Sequence, residues 1–153
     1  MPGTSERFER LMAASGRDLT VSRAVVRLIA TGIRVTRELS EALAPVGLST
    51  QQFVVLMELA SSEAGVRPLS ELMERAQSSA PNMSGLVSRM ERAGLVRKRR
   101  DGEDQRVLSV EITDAGWTRL AEGAPLLIAA EKELVGGLSR SELAELARLI
   151  ARL

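Results

Sequence analysis

Apolar positions recur with a period near 3.6 over most of the chain, and only one stretch changes to a period of 2. From Asp18 to about Ala44, the residues Val21, Val25, Leu28, Gly32, Val35 and Leu39 follow alternating steps of four and three, a heptad seam. Val26, Ile29 and Ile33 form a second stripe beside it. A helix apolar on two sides needs two covers. Either one cover is a second subunit, or the helix is the centre of a monomeric bundle. Pro45 and Gly47 end it, and Ser49 and Gln52 then stand at capping-box spacing. The helix they open has Phe53, Leu56, Met57 and Ala60 as its predicted core face. Gly65 breaks that helix, and Pro68 suits the first position of a short one around Leu69, Leu72, Met73 and Ala76. After the polar turn Gln77-Ser78-Ser79, a third helix starts near Pro81, buries Met83, Leu86, Val87 and Met90, and ends at Gly94.

Behind Gly94 the pattern becomes extended. Leu95 to Arg100 and Val107 to Ile112 read as two strands around an Asp101-Gly102 turn, with Leu108, Val110 and Ile112 on one side. Thr113 caps a last helical region, which breaks at Gly136-Gly137 and restarts at Ser139 or Ser141 to run through Leu143, Leu146, Leu149, Ile150 and Leu153. Residues 1 to about 16 read as a loosely held arm with a helical turn around Phe8 to Met12. The fold class is therefore mainly α with a small β-hairpin, and 153 residues suffice for one domain of ordinary size.

Composition narrows the chemistry. The chain has no Cys, which excludes thiol nucleophiles, disulfides and thiolate metal sites, and no His, which removes the commonest metal ligand and acid–base group. The expectation is no enzyme, no metal and no cofactor. Glu71 and Glu74 read as solvated carboxylates on a helix surface with no convergent partner. The most apolar stretch, Val21 to Val35, is interrupted by Arg23, Arg27 and Arg34, so no membrane span is expected. The first residues mix charges and lack the apolar core of a signal peptide. The expected location is the cytoplasm.

The net charge is only +1, so a polyanion site must appear as a local cluster. It does. Between Arg89 and Arg106 seven basic residues (Arg89, Arg92, Arg97, Lys98, Arg99, Arg100 and Arg106) outnumber four acidic ones. The two helices across the 77–79 turn suit a helix-turn-helix, whose second helix can enter the DNA major groove. Opposite its core face that helix carries Pro81, Gly85, Ser88, Arg89 and Arg92, with Ser84 at the margin: small polar residues that permit close approach, and arginines that reach guanine or phosphate. A solvated helix face and a soluble basic hairpin edge are the plain alternatives. The order of helix then basic hairpin favours double-stranded DNA over a winged helix that binds only protein.

Three stretches carry a resemblance to a known family: GLSTQQFVVLMELA (47–60), SELMERA (70–76) and SGLVSRMERAGLVRKRRDGEDQRVLSVEITDAG (84–116). The most specific elements are Gly94-Leu95-Val96, Asp104-Gln105-Arg106 and Ile112 to Gly116. The chain resembles the MarR family of winged helix-turn-helix transcriptional regulators. The resemblance implies a homodimer on a pseudo-palindromic operator, acting as a repressor released by a small aromatic or anionic effector. It divides the chain into a flexible arm (1–17), a dimerisation helix (18–46), the winged lobe (47–112) and C-terminal helices completing the dimerisation region (113–153). It also implies that Ser79, Asn82, Ser84 and Arg89 lie in or near the major groove. Arg106 would enter the minor groove, with Asp104 holding the wing. Gly85 departs from the family, many of whose members place a base-reading side chain there. Trp117 reads as core, with a place in an effector pocket as the alternative.

Overall fold

Helices alternate with three short strands along the described residues, 4–16, 19–76, 78–100 and 107–153 of a computed structural model. The order is α1 (Thr4–Ala14), α2 (Leu19–Leu43), a 3-10 turn (Ala44–Val46), α3 (Thr50–Ala60), β1 (Val66–Pro68), α4 (Leu69–Arg75), α5 (Ala80–Arg92), β2 (Val96–Arg100), β3 (Leu108–Ile112), α6 (Asp114–Val135) and α7 (Arg140–Ile150). The chain is mainly helical with a small antiparallel sheet, as its periodicity predicts. Asp18, Gln77, the Asp101-Gly102 turn, Asp104 and Arg106 lie outside the described residues. Among the described residues no single helix is long and apolar enough to cross a membrane.

Two units divide at Arg37 and Glu38. In the first, the helical turn predicted around Phe8 to Met12 extends over the eleven residues of α1, with an exposed Glu6–Arg10 ion pair one turn apart at 2.6 Å. Up to Ile33 both apolar stripes of α2 are open to solvent, while Val35 and Leu39 further along are half-buried. Val21, Val25, Leu28, Val26, Ile29 and Ile33 are 46–67% exposed.

The second unit builds its core from α3, α4, α5 and the sheet. Ser49 and Gln52 form the predicted capping box: the Gln52 N–H donates to Ser49 Oγ (3.3 Å) and the Ser49 N–H to Gln52 Oε1 (2.8 Å). Ser139, the first of the two predicted restart points, makes an equivalent box with Glu142 at the start of α7. Thr113 caps α6 by accepting from the Gly116 N–H at 3.1 Å. Met57 corrects the predicted face of α3, because it is 48% exposed while Val55 and Leu59 are buried with Phe53 and Leu56. The cause is tertiary. Because α3 touches α6 on one side and β1, β3 and α4 on others, its buried arc is wider than one stripe and turned toward Val55 and Leu59.

The sheet also exceeds the predicted hairpin. Its order is β1-β3-β2, antiparallel throughout, with Val66 opposite Glu111 and Pro68 opposite Ser109. Pro68, expected as the first residue of α4, closes β1 and stands immediately before that helix. As an edge-strand residue it loses no bond that a central strand would require. Gly94 adopts φ +73°, the left-handed conformation that lets α5 end and β2 begin within a few residues.

Candidate nucleic-acid interface

α5 buries Met83, Leu86, Val87 and Met90, the four residues expected from its periodicity. That fixes which face is left outward. Asn82, Ser84, Arg89 and Arg92 are exposed, and Gly85 and Ser88 are half-buried. Ser79, at the N-cap, is exposed and makes no side-chain capping bond, so its hydroxyl is not committed to the helix end. Arg89 folds along the helix, with Nη1 3.5 Å from where a Cβ on Gly85 would sit. A methyl group there meets only ordinary contact. Gly85→Ala should accordingly raise stability by roughly 1 kcal/mol, the helix-propensity difference, as read by urea unfolding.

The basic strand β2 splits its charges between two faces, as alternation requires. Arg97 pairs with Glu111 across the ladder and Arg99 with Ser109. Glu111 Oε2 sits between the two arginines, 3.4 Å from Arg97 Nε and 3.4 Å from Arg99 Nη1. Both arginine side chains are exposed, at 66% and 48%, while Glu111 is half-buried beneath them, so a phosphate can approach the guanidinium groups from the solvent side. Arg100 is exposed at the end of the strand.

Lys98 faces the other way. Its Nζ donates to Ser88 Oγ at 2.9 Å and lies 3.0 Å from Glu91 Oε2, while its N–H donates to Glu91 Oε1 at 3.1 Å. The ammonium, together with the N–H, holds the Glu91 carboxyl below the usual carboxylate range. Of the sequence-predicted residues, Ser88 and Lys98 are thus brought together with each other. Ser79, Asn82, Ser84, Arg89, Arg92, Arg97, Arg99 and Arg100 stand outward on α5, its N-cap and the wing.

Two expectations are corrected here. Trp117 is not core: it is 45% exposed, because its neighbour Gly116 takes the buried position in the first turn of α6. Glu71 is not merely solvated. It pairs with Arg67 and, at 2.9 Å, with Arg75, whose side-chain hydrogen bond chiefly lowers its pKa. Arg67 also donates to the Glu58 carbonyl at 2.6 Å and to Ser61 Oγ at 3.0 Å, tying the end of α3 to β1 and α4. The i, i+4 spacing of Glu71 and Arg75 was a legible signal for this network. The reach of Arg67 back to α3 was not.

Comparison with known proteins agrees with this architecture. The profile described as MarR family matches residues 46–107. The chain is 32% identical over 95 residues to the transcriptional regulator HosA of Escherichia coli, covering 62% of this chain and 69% of that one. It is 33% identical over 79 residues to the HTH-type transcriptional repressor YetL of Bacillus subtilis, covering 52% and 47%. Among solved structures it is similar to Sco3205, a MarR family transcriptional regulator from Streptomyces coelicolor in complex with DNA, with a TM-score of 0.78 and 26% identity over 88% of this chain and 89% of that one. These are regulators of transcription and not enzymes, and with a buried helix-turn-helix core, an outward polar face on α5 and a basic antiparallel wing, the chain belongs to the MarR family of transcriptional regulators.

Proposed function

We propose that the protein is a homodimeric repressor that binds a pseudo-palindromic operator, with α5 in the major groove and the β2–β3 wing against the minor groove. One observation carries the reading. The α5–Gly94–β2 segment turns its four apolar residues inward and its polar and arginine side chains outward on consecutive elements. Such a surface suits a phosphate backbone with base edges between the phosphates. Repression is the activity named for YetL, and DNA is the ligand in the Sco3205 complex. Two-fold symmetry would place half-sites about one helical turn, ~10 bp, apart. A small aromatic or anionic effector is assigned to the surface around Trp117, exposed beside Gly65 at the start of α6.

Selection of duplexes from a random pool, followed by titration at several salt concentrations, tests the proposal. Arg106→Ala and Arg100→Ala should weaken selected and unrelated duplexes alike, each lowering the salt slope by about one unit per lost phosphate contact. Ser84→Ala and Arg89→Ala should cost more on the selected duplex, ~1–3 kcal/mol for a good base contact. Wing variants with unchanged affinity and slope would leave the hairpin a solvated edge.

A further inference from the structure

We infer that Glu91 and Lys98 form a clamp that sets the wing against the recognition helix, so that Lys98 is a positioning residue and not a phosphate contact. The inference deepens the DNA-binding reading and rests on it. Three observations support it. Glu91 uses both oxygens on one residue of β2, gripping its backbone N–H at 3.1 Å and its ammonium at 3.0 Å. The ammonium is also bonded to Ser88 Oγ, one helical turn earlier on α5, so it bridges two successive turns of that helix. Its side chain is 28% exposed, against 66% for Arg97 and 48% for Arg99 on the opposite face of the same strand.

The choice of residue fits the task. Lys98 is one of only two lysines in the chain, the other being Lys132, where nineteen arginines supply the rest of the positive charge. A compact ammonium on a flexible stem can meet a carboxylate and a hydroxyl at once, whereas a planar fork is suited to phosphate. The strand thus separates its functions by alternation. Arg97 and Arg99 on the outward face are available to DNA, and the inward lysine holds the angle at which they are presented.

The clamp makes a prediction opposite in sign to simple electrostatics. Glu91→Gln removes a negative charge beside the DNA face, which by charge alone tightens binding. It also leaves one acceptor for two donors, setting an amide NH2 against either the ammonium or the Lys98 N–H, and loosens the clamp. We expect weaker binding to a duplex selected by the wild-type protein, by about tenfold, a middle value for residues coupled by direct contact. Lys98→Met should weaken it similarly with the salt slope unchanged. Dimethyl sulfate footprinting should then show guanine N7 still protected in the major groove by both variants, and adenine N3 protection in the minor groove reduced. A Lys98→Met slope lower by about one unit, or a Glu91→Gln protein that binds more tightly, would overturn the clamp while leaving the DNA reading intact. A wild-type protein with no salt-dependent duplex binding would instead overturn the DNA reading. Equal melting temperatures for the variants and the wild type would show that altered binding is not lost folding.

Discussion

Gly116→Ala should be among the most damaging single substitutions in the lobe. A Cβ at this position would stand 2.2 Å from the Leu95 carbonyl oxygen, 2.8 Å from Ile112 Cγ1 and 3.3 Å from Leu56 Cδ2. The first contact decides the outcome. That carbonyl is backbone and already accepts the Thr113 N–H at 3.1 Å, so it cannot turn aside as a side chain would. Relief requires α6 to shift away from the start of β2. Overpacking a tight core costs ~1–3 kcal/mol and more where backbone must move. An effect of ~3 kcal/mol is a large share of the ~5–15 kcal/mol that holds a domain folded. The melting temperature should fall by about 6–12 °C at 2–4 °C per kcal/mol for a chain of this size. Gly123→Ala supplies the control. Its Cβ would meet only side-chain atoms, Phe53 Cε2 at 3.1 Å and Leu43 Cδ2 at 3.2 Å, which can yield, so a smaller loss is expected. Thermal unfolding of the two variants side by side checks the ordering, and equal losses would contradict it.

The second large effect concerns assembly. Sedimentation equilibrium at micromolar concentration should return twice the 16.5 kDa chain mass, with no folded monomer. Ile29 and Ile33 on α2 are 57% and 67% exposed, and Leu138, Leu146 and Leu149 line an apolar groove along α7. Covering a large aliphatic side chain is worth ~1.5–3 kcal/mol. The double variant Ile29→Glu, Ile33→Glu alters four such positions in a dimer, a loss of ~6 kcal/mol or more. At 1.4 kcal/mol per tenfold, dimer dissociation should strengthen by about four orders of magnitude. Operator binding should fall with it, since two half-sites need two lobes held together. A wild-type chain sedimenting as a folded monomer would refute the expectation.

Much of this protein was legible where one local signal matched one tertiary outcome. The inward residues of α5 and the capping box at Ser49 and Gln52 followed from spacing alone, because each depends on a single turn of helix. β1 did not follow. Three residues ending in proline are too short to show alternation, and they become a strand only because β3 offers a free edge. Met57 misled because α3 is covered from several directions, which one stripe cannot encode. At the interface, the run from Arg97 to Arg100 reads as uniformly basic. Its division into outward Arg97 and Arg99 and an inward Lys98 depends on Glu111 and Glu91, partners that strand pairing and the neighbouring α5 bring near. Charge counts along a sequence record how much is present but not which way it faces.

Pro68 has a mechanical consequence. Because it ends β1 and directly precedes α4, no residue of slack separates the sheet from the helix-turn-helix, and Arg67 beside it is bonded to both α3 and α4. Few torsions are left free at that junction. β1 and α4 therefore lack an independent hinge there, and a torque applied to one is delivered to the other. A displacement of the sheet edge is passed into the helix-turn-helix as a tilt of α4 and is not absorbed between the two.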